Sequence, residues 1–188
     1  MKNLYFDLET TGTSWFENGI HQISGIVEID GNVVEKFDLR VQPNPSCKIE
    51  DEALAVSGIT RKDLGGYMPF EDGYKTLIDI LKKHCDKYDK LDKFHLVGYN
   101  NAGFDNGFLR QFFMQNGDKY FNSWFWIDTL DCMVLASQAF RKVRHKIPDF
   151  KLPTIAKGLG IEVDMDKLHD AMYDVELTRE VYLKLCKN

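Results

Sequence analysis

The chain lacks any run of about 18 consecutive apolar residues, so no segment is expected to cross a membrane. Its N-terminus is equally poor in apolar length. Lys2 is followed by only a few apolar residues before Asp7, too few for the apolar stretch of a secretion signal. Cysteine is scarce and scattered. Cys47, Cys85, Cys132 and Cys186 form no CxxC pair and have no histidine at zinc-ligand spacing, which argues against a thiolate zinc site and leads us to expect reduced thiols in a cytoplasmic protein. An excess of positive charge is missing as well. With 24 Lys and Arg against 29 Asp and Glu, the formal net charge is -5, so the chain cannot grip nucleic acid through overall charge. Such a substrate would need local cations or metal ions. Repeats and low-complexity tracts are absent too.

What is present suits a single domain spanning 1–188: the 188 residues are 44% hydrophobic and 13% aromatic, enough for one full core. Residues 3 to 8, 20 to 29 and 33 to 42 read as strands, with Asp30-Gly31 as a tight hairpin turn, so the chain is expected to open on a three-strand meander. After Pro43 and Pro45 the spacing becomes helical near 50 to 56 and 70 to 85. A strand at 95 to 99 precedes a helix from 103 to 116, a short apolar piece at 124 to 127, and a helix ending near 140. Two last helices fall near 152 to 159 and 170 to 186. Strands first, then strands alternating with helices, predict a mixed α/β sheet with helices on its faces.

Four acids recur at the ends of these segments. In FDLETTG, Asp7 and Glu9 are two apart in a strand, so they share a face with Cα atoms roughly 6.6 Å apart. Buried carboxylates of this kind are costly unless something compensates them. Asp105 follows a strand end in GYNNAGFD and falls in a first helical turn, where an acid also suits the helix dipole. Asp174 opens the last helix in HDAMYD, and His169, five residues earlier, belongs to the loop before it. All four could meet at one sheet edge, and four carboxylates suffice for two divalent cations about 4 Å apart.

These motifs resemble the DEDDh group of 3′-to-5′ exonucleases in the ribonuclease H-like superfamily, which includes the epsilon proofreading subunit of bacterial replicative polymerase, ribonuclease T and oligoribonuclease. FDLETTG matches the first motif, NNAGFD the second and HDAMYD the third, in family order, and ALAVSGITRKDL resembles the segment between the first two. The resemblance implies a ribonuclease H-like mixed five-stranded sheet flanked by helices on both faces. It further implies that Asp7, Glu9, Asp105 and Asp174 ligate two Mg²⁺ or Mn²⁺ ions, hard cations that take oxygen ligands. His169 would be the general base, and the product a nucleoside 5′-monophosphate released from a single-stranded DNA or RNA 3′ end.

By the same resemblance Thr10, Thr11 and Gly12 lie beside the terminal sugar, Val56, Ser57 and Phe104 border the last base, and Asn101 helps hold the strand. Two positions depart from the pattern. Ser57 stands where several relatives have histidine, and Asn100 where many have histidine. Trp15 and Phe16 could stack on the penultimate nucleotide or cover the core edge, and the basic run 141 to 146 could meet phosphates or simply face solvent. Proofreading or repair, an oligoribonuclease-like enzyme for short RNAs, and a noncatalytic nucleic-acid or polymerase-binding module of the same fold are the readings to separate. The chain stops just after its last helix, which leads us to expect a freestanding enzyme; a polymerase or a second copy of the chain stays open as partner.

Overall fold

The computed structural model describes residues 1–168 and 170–187. Strand β1 (Lys2–Thr10), β2 (Ile20–Ile29) and β3 (Asn32–Arg40) form the expected antiparallel meander. Its β2–β3 turn has φ of 50° at Asp30 and 83° at Gly31, the left-handed pair that a two-residue hairpin requires. Helices α1 (Asp51–Val56), α2 (Arg61–Leu64) and α3 (Phe70–His84) lead to β4 (His95–Gly98). Then follow α4 (Asp105–Gln115), α5 (Phe121–Trp124), β5 (Leu130–Asp131), α6 (Cys132–Ala139), α7 (Leu152–Gly158) and α8 (Ala171–Cys186). The sheet order is β3-β2-β1-β4-β5, with β4 parallel to β1 and β5 parallel to β4. This is the mixed five-stranded α/β architecture expected of a ribonuclease H-like chain.

Alternation along β1 divides the core in two. Leu4, Phe6 and Leu8 pack with α3 and α4, while Tyr5 packs on the opposite face with α6, α7 and α8. The central strand reads as nearly continuous apolar sequence because both of its faces are covered. Asp7 and Glu9 share the alternation of Tyr5 and so lie on the α8 side. The segment 124 to 127 is not a strand; Phe125 makes an isolated bridge to Phe94, and the fifth strand is the two-residue Leu130–Asp131 just beyond.

Helix α8 is tied to the sheet by a buried ion pair. Arg179 donates from Nε and Nη2 to Glu28 Oε2 at 2.8 and 2.6 Å, and Glu28 is only 3% exposed. Tyr5 Oη at 3.2 Å and Asn3 Nδ2 at 3.3 Å donate to the other Glu28 oxygen. A carboxylate so surrounded is compensated, and it fixes the helix that carries Asp174 against the strand that carries Asp7.

Candidate active site

Beyond the Tyr5–Val97 pairing, the parallel strands β1 and β4 end at the same edge of the sheet, and their exits supply the acids. Asn100 turns the chain there with φ of 62°, a left-handed conformation that asparagine tolerates better than most side chains. Asp131 secures this turn. Its carboxylate accepts from the backbone N–H groups of Asn100 at 3.0 Å and Ala102 at 3.2 Å, and also caps α6 through Met133 N–H at 2.9 Å. Asn100 O in turn accepts from Gly103 and Phe104 N–H, both at 3.1 Å, so Asp105 emerges as the first residue of α4, two residues later than the sequence pattern predicts. Sequence reasoning missed Asp131, although an acid immediately before a helix is an ordinary capping signal.

The four acids act on one another. Burial pushes the Asp7 carboxyl well above the usual carboxylate range, and the charges of Asp105, Glu9 and Asp174 push it further. Asp105, 5% exposed, is raised by burial to about 7, with Glu9 and Asp131 adding to the rise, while backbone N–H groups of Leu8 and Asp105 itself partly favour its charged form. Asp174 stands in the first turn of α8, which Asp170 caps through Tyr173 N–H at 2.9 Å. The charges of Glu9, Asp105 and Asp174 are thus all felt at Asp7. His169 lies outside the described residues.

Such a donor set, all oxygen and all of one charge, fits a hard divalent cation in kind. Among the described residues no three His, Cys, Asp or Glu side chains are gathered closely enough to hold a metal ion as they stand. Glu9 is also engaged sideways, accepting from Ser57 Oγ at 2.6 Å. Behind Ser57 stands His21, with Nε2 3.5 Å from the hydroxyl; it is 1% exposed and its pKa is lowered by burial to about 4, so it is neutral near pH 7. Nothing in the sequence pattern had singled out His21.

The expected substrate positions divide into two groups. Thr10, Thr11 and Asn101 are buried with their side chains engaged in the protein: Thr10 Oγ1 donates to Gly12 O at 2.7 Å, Thr11 Oγ1 to Lys48 O at 2.8 Å, and Asn101 Nδ2 to Thr129 Oγ1 at 2.6 Å. Asn18 Nδ2 clamps the same loop, donating to Thr11 O at 3.2 Å and Lys48 O at 3.1 Å. Gly12 must be glycine, since a Cβ would lie 2.2 Å from Asn18 Nδ2. Val56, Ser57 and Phe104 face cavities instead. Val56 and Ser57 line one of about 720 Å³ against the start of α8; Phe104 and Trp15 line one of about 360 Å³ along α4. Phe16 stacks on Trp15 with ring centroids 3.4 Å apart and is exposed.

Comparison with known proteins agrees with this architecture. The exonuclease family model named RNase T matches residues 4–182. The chain is 26% identical over 178 residues to DNA polymerase III PolC-type of Mycoplasmopsis pulmonis, covering 95% of this chain and 11% of that protein. It is 31% identical over 179 residues to DNA polymerase III PolC-type of Streptococcus pyogenes serotype M18, covering 92% of this chain and 10% of that protein. The chain thus spans about a tenth of the length of these relatives. Among solved structures, E. coli Exonuclease I in complex with a dT13 oligonucleotide superposes with a TM-score of 0.77 at 24% identity, over 100% of this chain and 41% of that one. The zinc-bound E. coli ExoI–ssDNA complex gives 0.77 at 24% identity, over 99% of this chain and 40% of that one. The match over nearly the whole chain places it in the exonuclease family.

Proposed function

We propose that the protein is a metal-dependent 3′-to-5′ exonuclease that releases nucleoside 5′-monophosphates from single-stranded DNA. The observation that carries the reading is that the charges of Asp105, Glu9 and Asp174 all bear on the half-buried Asp7 carboxylate. Such repulsion has a purpose where cations neutralise it. Asp7, Glu9, Asp105 and Asp174 would hold them, Mg²⁺ or Mn²⁺ in a pair. When bound, the ions supply positive charge that offsets the carboxylates and the transferred phosphate.

The chain's own residues do the rest. His169, an imidazole with an unperturbed pKa near 6.5, takes a proton from the attacking water as general base. Val56 and Phe104 border the terminal base, and apolar or aromatic contact of this kind tolerates any base. Trp15 and Phe16 offer an exposed stacked pair beside Phe104 for the next nucleotide. The likeness to PolC-type polymerases and to Exonuclease I bound to oligodeoxynucleotides favours DNA over RNA, and supports work beside a polymerase.

The test is direct. Matched 5′-labelled single-stranded DNA and RNA oligonucleotides, incubated with the protein in Mg²⁺, should give a ladder shortening from the 3′ end, faster for DNA and abolished by EDTA. His169→Ala should lower turnover while leaving the KM for the oligonucleotide nearly unchanged. Intact oligonucleotides in both Mg²⁺ and Mn²⁺ would leave a noncatalytic binding module instead.

A further inference from the structure

The strand β2 contributes a histidine that the exonuclease chemistry does not use. Glu9 pairs with Gln22 and Thr10 with Ile20, so His21 is the extra residue of a β-bulge opposite the Glu9–Thr10 step. Bulges break the alternation of a strand and re-aim a side chain. Here the bulge directs a buried imidazole to Ser57, the residue after α1, and Ser57 Oγ donates to Glu9 Oε2 at 2.6 Å.

Proton placement along this line is constrained. Ser57 has a single hydroxyl proton and gives it to the carboxylate, so its oxygen is free to accept. His21 Nδ1 is buried and has no hydrogen-bond partner among the described residues. The tautomer with its proton on Nε2, the nitrogen 3.5 Å from Ser57 Oγ, is the one that lets the imidazole donate to that oxygen. In that tautomer the contacts run from imidazole to hydroxyl to carboxylate. They hold one Glu9 oxygen while the carboxylate still acts on both Asp7 and Asp105.

We infer that His21 and Ser57 are positioning residues for Glu9: together they fix its carboxylate from the side and thereby set the affinity of the acid cluster for a divalent cation. This rests on the metal-dependent reading above. Ser57 then serves the metal site rather than the last base, and its hydroxyl, bonded to Glu9, is not available to a nucleotide. Outer partners that orient a ligand commonly govern metal affinity without touching the metal.

The test is titration of the protein with Mn²⁺ alone, followed by calorimetry, on wild type, Ser57→Ala, Ser57→Thr, His21→Leu and the Ser57→Ala/His21→Leu double variant. Ser57→Ala should weaken Mn²⁺ binding about tenfold or more, and Ser57→Thr, which keeps the hydroxyl, should restore it. His21→Leu should weaken binding as well, and adding it to Ser57→Ala should cost little more, since both act along one line. Should His21→Leu fail to fold by circular dichroism, His21→Gln, with a neutral donor at the same place, should bind Mn²⁺ like wild type. Unchanged Mn²⁺ affinity in Ser57→Ala overturns the inference, and a raised KM for a single-stranded oligonucleotide in that case makes Ser57 a substrate contact. Wild type that binds Mn²⁺ but leaves oligonucleotides intact overturns the exonuclease reading alone; wild type that takes up no Mn²⁺ overturns both.

Discussion

His21 illustrates what a single residue costs when burial opposes its charge. Its ring is packed away from water, with the Arg40 charge also acting against protonation, and its pKa falls from 6.5 to about 4. The unfolded chain therefore binds a proton between those values that the folded chain refuses. Stability attributable to His21 is complete above pH 6.5 and is lost as pH falls toward 4, by about 3 kcal/mol in all. His21→Gln does not titrate, so denaturant melts of the two proteins from pH 7 to pH 4 should show wild type losing that much relative to the variant; a constant difference would remove His21 from the acid sensitivity. No sequence signal points to this histidine, because the bulge that sets it opposite the Glu9–Thr10 step is not encoded in the alternation of the strand. The acids differ in this respect. Asp7, Glu9, Asp105 and Asp174 were readable because carboxylates at strand and helix ends have a chemical reason to recur, whereas Asp131 and Ser57 act through backbone and side-chain geometry that only the folded chain reveals.

At the level of elements, the hairpin, α3 and α8 were legible nearly to the residue, since β-branched strands, a left-handed Asp-Gly turn and helical apolar spacing are local signals. The two-residue β5 was not, because its short pairing with β4 is a tertiary fact with no periodicity of its own. The attachment of α8 was equally hidden: Glu28 and Arg179 are 151 residues apart. That attachment has a measurable worth. Arg179→Met would leave the buried Glu28 without its cation, holding only the bonds from Tyr5 and Asn3, at a cost of about 3 kcal/mol in urea unfolding. Adding Glu28→Leu should recover most of the loss, because two apolar side chains need no pairing. The single variant should also weaken Mn²⁺ binding, since α8 carries Asp174; a stable Arg179→Met protein would mean that packing of Val175, Leu177 and Val181 alone holds the helix.

Across the whole molecule, the proposed function asks an acidic chain to bind a polyanion, and the exposed cations offer a place for it. The basic residues of 141–146 are all exposed, and the guanidinium of Arg144 lies 4.3 Å from the Phe150 ring. Phe150 in turn lines a cavity of about 580 Å³ that reaches Asp174 and Asn100. Phosphates of a strand leaving the acid cluster on that side would pass the basic run. Attraction of this kind releases counterions, so the logarithm of KM should rise with the logarithm of salt concentration, with a slope of about 0.7 for each phosphate contacted on a single strand. Replacing Arg141, Lys142 and Arg144 with Gln should lower that slope by about 1 to 2 and leave turnover at saturating oligonucleotide nearly unchanged. Arg141 and Arg144 also donate to the carbonyls of Gln138 and Ile147, both at 2.9 Å, so the variant needs a melting curve to establish that the loop is intact. With the fold intact and the slope unaltered, the strand takes another path, and the exposed Trp15 and Phe16 on the α4 side become the place to look for it.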